Sequence, residues 1–372
     1  MRTTINDIAQ LAGVSKTTVS FAFNDPGRIS AATRDRIFRI AEERGYVPDP
    51  IARTLSSRRL GTIGFLLPQS ISNAFENTYM SEILRGLGKA LEPKALSITV
   101  IPPMAGSLDK SARSAAVDGF VTLGLLPTTD TAQVIRHRHL PLVTIDGSVE
   151  GDIPNVTIRD YEAAFSVMTR ILELGHREIG IIDMGPVEIN EREEGIDVSG
   201  SHYSGIAERR RAGYEAALLA HGLSIEQPGI RVAYREATRE GAYHAAMELL
   251  DRIDRPSAIV AMSDLMAIGV YHAARTLGIS IPGDLSVAGF DDTPEAELLS
   301  PPLSTLSQPG MTKGFEAGRM VLDLLAGKPL ERTTVYMDTH FIERGSTAEP
   351  YSESHSSSDA PDFDEPHHVG SA

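Results

Sequence analysis

The chain has 372 residues, 41% of them apolar, with no cysteine and a formal charge of −15. That length predicts two or three domains and a sizeable core. The missing cysteine excludes a disulfide framework and a thiolate metal site, and no apolar run approaches membrane-spanning length. Polar first residues leading straight into a helical pattern are what a cytoplasmic protein without a secretory signal shows. The charge is unevenly divided: residues 1–61 hold ten Lys/Arg and six Asp/Glu, a balance of +4, so the remainder carries −19. Basic charge gathered at one end of an acidic body suits a protein that meets phosphates there only. The arginines at 28, 34, 36, 39 and 44 would, without a motif around them, read as a solvated helix face.

That motif runs from Thr4 to Ser20. Thr4 followed three residues later by Asp7 is a capping-box pattern, and Ile5, Ile8, Ala9 and Ala12 recur at helical spacing. Gly13 breaks this first helix, and Ser15 caps a second one running to about Phe23. Val19 and Phe23 point inward on it, while Lys16, Thr17 and Ser20 lie on another face. A short polar helix held across a tight turn is the groove reader of a helix-turn-helix, although a structural helical hairpin shares the pattern. A third helix follows from Ser30 to about Arg44, closed by Gly45, with Ile37, Ile40 and Ala41 facing the first two. Asp49-Pro50 then starts a short helix to about Arg58, too short to be stable alone.

With these neighbours in place, residues 3–60 resemble the DNA-binding headpiece of the lactose-repressor (LacI/GalR) family, and residues 61–345 resemble its effector-binding core. The resemblance implies an α/β fold: a helix-turn-helix headpiece over 1–60 with a hinge helix near 49–58, then a two-lobed core like the periplasmic binding proteins, with parallel sheets. Lobe 1 is expected over about 61–158 and 308–335, and lobe 2 over about 159–307 and 336–345. It also implies that Lys16, Thr17, Ser20 and Phe21 meet base edges, while Ile5, Asn24, Arg28, Ser30, Thr33 and Tyr46 touch phosphates or flank the groove. Many members carry arginine where this chain has Phe21, so a guanine contact gives way to an apolar contact with a thymine methyl; packing against the third helix is the other reading of that ring. In the hinge, Leu55 matches the family's minor-groove wedge, flanked by Ala52 and Arg53.

From Thr62 the texture alternates between strands and helices. Strands are predicted at 63–67, 96–101, 118–123, 142–145, 179–182, 258–262 and 285–290, and helices near 78–91, 161–174, 209–218, 266–277 and 312–325. This alternation predicts parallel sheets covered on both sides, with ligands beyond the carboxyl ends of the strands. Asp160 reads as the cap of the 161–174 helix. Residues 184–205 read as a long loop, and His202 within it is a weak metal candidate; no metal site or cofactor is expected. Arg210, Gly213 and Tyr214 align with the family's Arg-x-x-Gly-aromatic pattern, leaving Arg209 and Arg211 as surface residues. The resemblance places Asn73, Phe75, Asp146, Arg210, Ser263, Asp264 and Asp291 around the effector, although Asp264 equally suits helix capping. Glu236 stands where members often have a stacking aromatic, which favours a polar or amino-bearing ligand over a stacked sugar ring.

Residues 346–372 are rich in Ser, Asp, Glu, Pro and His, hold no leucine, and read as a disordered acidic tail without the leucine-repeat helix that joins dimers in the family's namesake. No phosphate-binding glycine loop, nucleophile elbow or useful His–acid pair points to an enzyme. The expected protein is a repressor of carbohydrate-related genes. It is a homodimer formed through segments 78–91 and 310–325, binds a near-palindromic double-stranded operator, and is controlled by a small effector, a sugar in the family's pattern. The alternative is control by a non-sugar metabolite or a partner protein.

Overall fold

The computed structural model describes residues 3–48, 59–105, 107–148, 151–184 and 204–351. They divide into two compact units, Met1–Gly61 and Thr62–Ala372. The hinge with Ala52, Arg53 and Leu55, and most of the expected loop with His202, lie outside the described residues.

The first unit is three helices, α1 (Ile5–Ala12), α2 (Lys16–Asn24) and α3 (Ala31–Glu43). Their starts follow the sequence. Thr4 Oγ1 accepts from the Asp7 N–H while Asp7 Oδ2 accepts from the Thr4 N–H at 2.8 Å, and Ser15 and Ser30 cap the other two. Each such cap contributes about 1 kcal/mol. Gly13 ends α1 at φ 60°, the left-handed conformation that glycine adopts without a side-chain penalty. Ile8, Ala9, Ala12, Val19, Ala22, Ile37 and Ala41 form one small core, with Phe23 and Tyr46 packed on its edge.

The second unit holds two parallel sheets. In the first, β1 (Thr62–Leu66), β2 (Ser97–Ile101), β3 (Gly119–Leu123), β4 (Leu142–Ile145), β5 (Asn155–Thr157) and β11 (Thr334–Tyr336) run in the order β11-β5-β4-β3-β1-β2. Helices α4 (Ile71–Glu76), α5 (Thr78–Leu91), α6 (Leu108–Ser114) and α7 (Asp130–His137) follow its strands. In the second, β6 (Ile179–Asp183), β7 (Ile230–Tyr234), β8 (Ala258–Ala261) and β9 (Ser286–Ala288) run in the order β7-β6-β8-β9. It is packed by α8 (Asp160–Glu173), α9 (Ser204–Ala220), α10 (Arg239–Leu250), α11 (Asp264–Leu277) and α12 (Pro294–Leu298). The chain returns through β10 (Thr305–Ser307), which pairs antiparallel with β12 (His340–Ile342), and through α13 (Gly310–Leu325), which covers the first sheet. All pairs inside the two large sheets are parallel. Their strands are therefore nearly continuous apolar runs, such as the fully buried β3 and β6.

Glycine lets helices of both lobes approach at backbone distance. A Cβ at Gly86 of α5 would collide with the Met311 carbonyl, and one at Gly314 of α13 with the Ile83 carbonyl. Gly213 of α9 stands in the same relation to Tyr161 of α8.

The expected tail begins too early at 346. Ser346 is fully buried; its Oγ donates to the Val287 carbonyl at 2.6 Å and accepts from the Ser304 N–H at 2.8 Å. Val287 N–H donates to the Ser346 carbonyl at 2.8 Å, so the segment runs along the open edge of β9. Backbone groups and hydroxyls satisfying that edge hold the segment in place, a source of order that apolar content does not register. Residues 352–372 lie outside the described residues.

Candidate DNA-reading surface and effector cleft

On the headpiece, Lys16 and Thr17 stand exposed on the first turn of α2, with Ser20 half-buried one turn on. Asn24 Nδ2 donates to Ser20 Oγ at 3.2 Å. Phe21 is half-buried and lies outside the apolar core; Arg28 covers its ring with the guanidinium carbon 5.2 Å from the centroid, and Arg28 Nε also pairs with Asp25 at 2.8 Å. Packing against α3 belongs instead to Phe23, whose ring meets Phe38 at 5.1 Å and Tyr46 at 5.9 Å. Ile5 is half-buried against the same core. The hydroxyls of Ser30 and Thr33 lie 2.9 Å apart in the cap of α3.

In the core, the predicted effector residues separate into two groups. Asp146 follows β4 and Asp291 follows β9, each at positive φ (54° and 134°), a conformation that residues other than glycine rarely adopt and that clusters at functional sites. Asp146 is fully engaged by its own protein. Its Oδ1 accepts from Lys313 Nζ at 2.5 Å and from Thr157 Oγ1 at 3.4 Å, and its Oδ2 from the Tyr79 hydroxyl at 2.8 Å. Asp264 is likewise engaged: Oδ1 accepts from Thr305 Oγ1 at 2.6 Å, and Oδ2 from the Thr293 N–H at 2.7 Å and its hydroxyl at 3.2 Å. It ties the start of α11 to the turn after β9 and to β10, while Ser263 supplies the helix cap. Burial pushes its carboxyl up to about 6, against the opposing effect of the threonine hydrogen bonds.

Arg210 and Asp291 keep free capacity. Arg210 is buried, donates from Nε to Asp160 Oδ1 at 3.1 Å and from Nη1 to the Met262 carbonyl at 2.5 Å, and lies 3.6 Å over the Phe290 ring. Its Nη2 has no protein partner among the described residues. Asp291 accepts on Oδ1 from Gln308 Nε2, and its Oδ2 has no partner among the described residues. Burial pushes the Asp291 carboxyl up to about 8, with Arg210 opposing that rise. Asn73 Nδ2 donates to Glu236 Oε1 at 3.0 Å and Thr78 Oγ1 to Glu295 Oε2 at 2.6 Å, hydrogen bonds that cross between the lobes. Phe75 is half exposed and enters no such bond.

Two arginines depart from expectation. Arg209 donates to the buried Asp160 Oδ2 at 3.2 and 3.0 Å, and Arg211 donates to the buried Asp183 at 2.7 Å while stacking on Tyr234 at 4.9 Å. Neither is a free surface residue. Asp160 in turn makes no side-chain cap: α8 starts at Asp160 itself, and its carboxylate is turned to the two arginines. A pair of buried-side guanidinium groups outcompetes a single terminal N–H for an anion.

Residues 4–49 match the family of bacterial regulatory proteins, lacI family, and residues 168–347 match the periplasmic binding protein-like domain. The HTH-type transcriptional regulator CelR of Thermobifida fusca is 30% identical over 93% of this chain and 98% of its own length. The chain belongs to the LacI family. The HTH-type transcriptional repressor CytR of Escherichia coli is 31% identical over 92% of this chain and 96% of its own. Among solved structures, the CelR–cellobiose complex matches with TM-score 0.65 and 28% identity over 93% of this chain and all of its own. The lac repressor dimer bound to operator and an anti-inducer matches with TM-score 0.76 and 22% identity over 94% of this chain and all of its own, a likeness of fold. This LacI-family chain is thus a DNA-binding transcriptional regulator, with the headpiece and two-lobed core of its relatives. No helix among the described residues is long and apolar enough to cross a membrane.

Sequence reasoning missed Tyr79, Gln308 and Lys313 of this LacI-family cleft. A signal existed for one of them. Lys313 falls on the buried stripe of α13 with Gly314, Ala317, Met320 and Val321, and a lysine on an apolar stripe demands a buried partner.

Proposed function

We propose that the protein is a repressor of carbohydrate-related genes, acting on the chromosome in the cytoplasm and controlled by a small neutral sugar or polyol held between the lobes. The observation that carries this is the free pair in the cleft. Arg210 and Asp291 are buried residues, yet among the described residues Arg210 Nη2 and Asp291 Oδ2 have no hydrogen-bond partner and neither atom is sealed off as a buried orphan. A donor and an acceptor left available in this way suit neighbouring hydroxyl groups, each of which can accept from the one and donate to the other. Lys313 neutralises Asp146 inside the protein, so no charge is left there to call for a charged ligand. The relative CelR is solved with cellobiose. Asn73 and Ser263 complete the proposed set.

In this reading the regulator is a homodimer, built on the outward faces of α5 and α13, that reads a near-palindromic operator. Lys16, Thr17, Ser20 and Phe21 meet base edges; Asn24, Arg28, Ser30 and Thr33 set register; and Ala52, Arg53 and Leu55 enter the minor groove. Thermal-shift measurement against cellobiose, monosaccharides, nucleosides and inorganic phosphate tests the effector class. A neutral sugar is expected to raise the midpoint, and stabilisation by phosphate or nucleosides alone would contradict the reading. Selection of bound DNA from a random pool tests the reader. Phe21→Arg is expected to shift preference toward guanine at one symmetric position per half-site, by about 1–3 kcal/mol of discrimination. Identical selected sites would remove Phe21 from the reading set.

A further inference from the structure

Resting on the reading of the cleft as the effector site, we propose that Lys313 is a positioning residue: through Gln308 it fixes Asp291 as a hydrogen-bond acceptor toward the effector. Lys313 is fully buried, and its ammonium group has three partners: Asp146 Oδ1 at 2.5 Å, Gln308 Oε1 at 2.7 Å and the Tyr79 hydroxyl at 2.9 Å. Three donors meet three acceptors, so no N–H is left for a ligand. What the lysine does is orient its neighbour.

The side-chain amide of Gln308 has two orientations of nearly equal shape, with opposite hydrogen-bonding sense. Its oxygen here receives Lys313 Nζ at 2.7 Å, and the Tyr79 hydroxyl, whose one proton goes to Asp146, lies 3.2 Å away. Turned over, the amide would set its NH2 group against an ammonium. The lysine therefore holds the oxygen inward and sends Nε2 to Asp291 Oδ1. The backbone supports this placement, because the Gln308 N–H donates to the Asp291 carbonyl at 3.2 Å and the Asp291 N–H to the Leu306 carbonyl at 2.9 Å. A donated N–H favours the ionised carboxylate and leaves Oδ2 to accept from a ligand hydroxyl. With an apolar residue at 313 the amide is free to turn its oxygen to Asp291, and that arrangement forms a hydrogen bond only with a protonated carboxyl. A residue of the first lobe thus selects the role of an aspartate in the second.

The groups facing Asp291 all bear on this. They are Arg210 and Tyr214 from α9, Asp264 from α11, Tyr79 from α5, Lys313 from α13, and Gln308 from the crossing segment. Burial and Asp264 favour the neutral carboxyl; Arg210, Gln308 and Lys313 favour the carboxylate.

The test uses the full chain without effector, labelled with 13C at the aspartate carboxyl carbons. The Asp291 resonance is assigned by its loss in Asp291→Asn and is titrated between about pH 5 and 10, bracketing the midpoint. Wild type is compared with Gln308→Met, with Lys313→Gln, and with Asp146→Asn/Lys313→Met, which removes both charges of the buried pair. The proposal expects the Asp291 midpoint to rise by about one pH unit in Gln308→Met and in the lysine variants. An unchanged midpoint in all variants would overturn it. A rise in Gln308→Met alone would show that glutamine orients itself, and a rise in the lysine variants alone would show that the lysine does not act through Gln308; either refutes the relay. Should the double variant not fold, judged by circular dichroism, Lys313→Gln decides. Because no sugar is present, a failed effector screen leaves this result standing, and an unchanged midpoint leaves the sugar reading standing.

Discussion

Each lobe places an aspartate at positive φ beyond the end of a parallel strand, yet the two lobes use that aspartate differently. Asp146 in the first lobe is saturated by Lys313, Tyr79 and Thr157 and holds its own lobe together. Asp291 in the second lobe has one oxygen held by Gln308 and one open. Position in the fold makes both candidates for ligand contact. The surrounding hydrogen bonds decide which of them remains available. A strand-end carboxylate is a binding group only when its neighbours leave it a lone pair.

Mutation should separate the two most sharply at Lys313. Lys313→Met leaves Asp146 buried without its counter-ion and is expected to cost about 3–5 kcal/mol in urea unfolding, whereas removing both charges should cost much less. Asp291→Asn, which removes a carboxylate that burial already disfavours, should not destabilise the chain as Lys313→Met does, and near neutral pH it should leave the chain at least as stable as wild type. Equal losses for the two would erase the distinction between a structural and an available aspartate.

Helix packing gives a smaller contrast. Gly314→Ala pushes α13 off α5 and displaces both Lys313 and Tyr79, at about 1–3 kcal/mol. Gly213→Ala should cost a similar amount by separating α9 from α8, but it sits one turn from Arg210 and should also weaken effector binding. Thermal unfolding with and without the sugar identified by screening checks both. A sugar shift left unchanged by Gly213→Ala would mean that the free pair is misplaced.

The pH dependence is subtler. Asp291 is raised from 3.8 to about 8 by burial, so the folded chain keeps a proton that the unfolded chain has lost. Its contribution to stability is therefore present below the unfolded value and declines as pH rises through the folded one. Denaturation midpoints for wild type should fall across that window more steeply than for Asp291→Asn, and parallel profiles would refute the assignment.

How much of this was legible in the sequence follows from the range of the interactions involved. Caps, the Gly13 turn and the alternation of buried strands with amphipathic helices are local patterns, and Thr4, Ser15 and Ser30 cap where expected. Asp160 was misread because its local capping pattern competes with arginines 49 and 50 residues away. Two of the three partners of Asp146, Tyr79 and Lys313, lie 67 and 167 residues from it. No spacing rule reaches that far. Ser346 failed for a related reason: its order comes from the edge of β9, which composition does not reveal.

In the function proposed above, a DNA-reading headpiece answers to an effector read by Arg210 and Asp291. Fluorescence anisotropy tests it most directly, using the full chain on a site selected from random DNA, with and without the stabilising sugar. The expected result is tight binding to a two-fold-symmetric site, an affinity that the sugar changes at least tenfold, on the order of 1.4 kcal/mol of coupling, and loss of that response in Asp291→Asn with unchanged affinity for DNA alone. A sugar response that survives Asp291→Asn, or a chain that selects no DNA site, would contradict it.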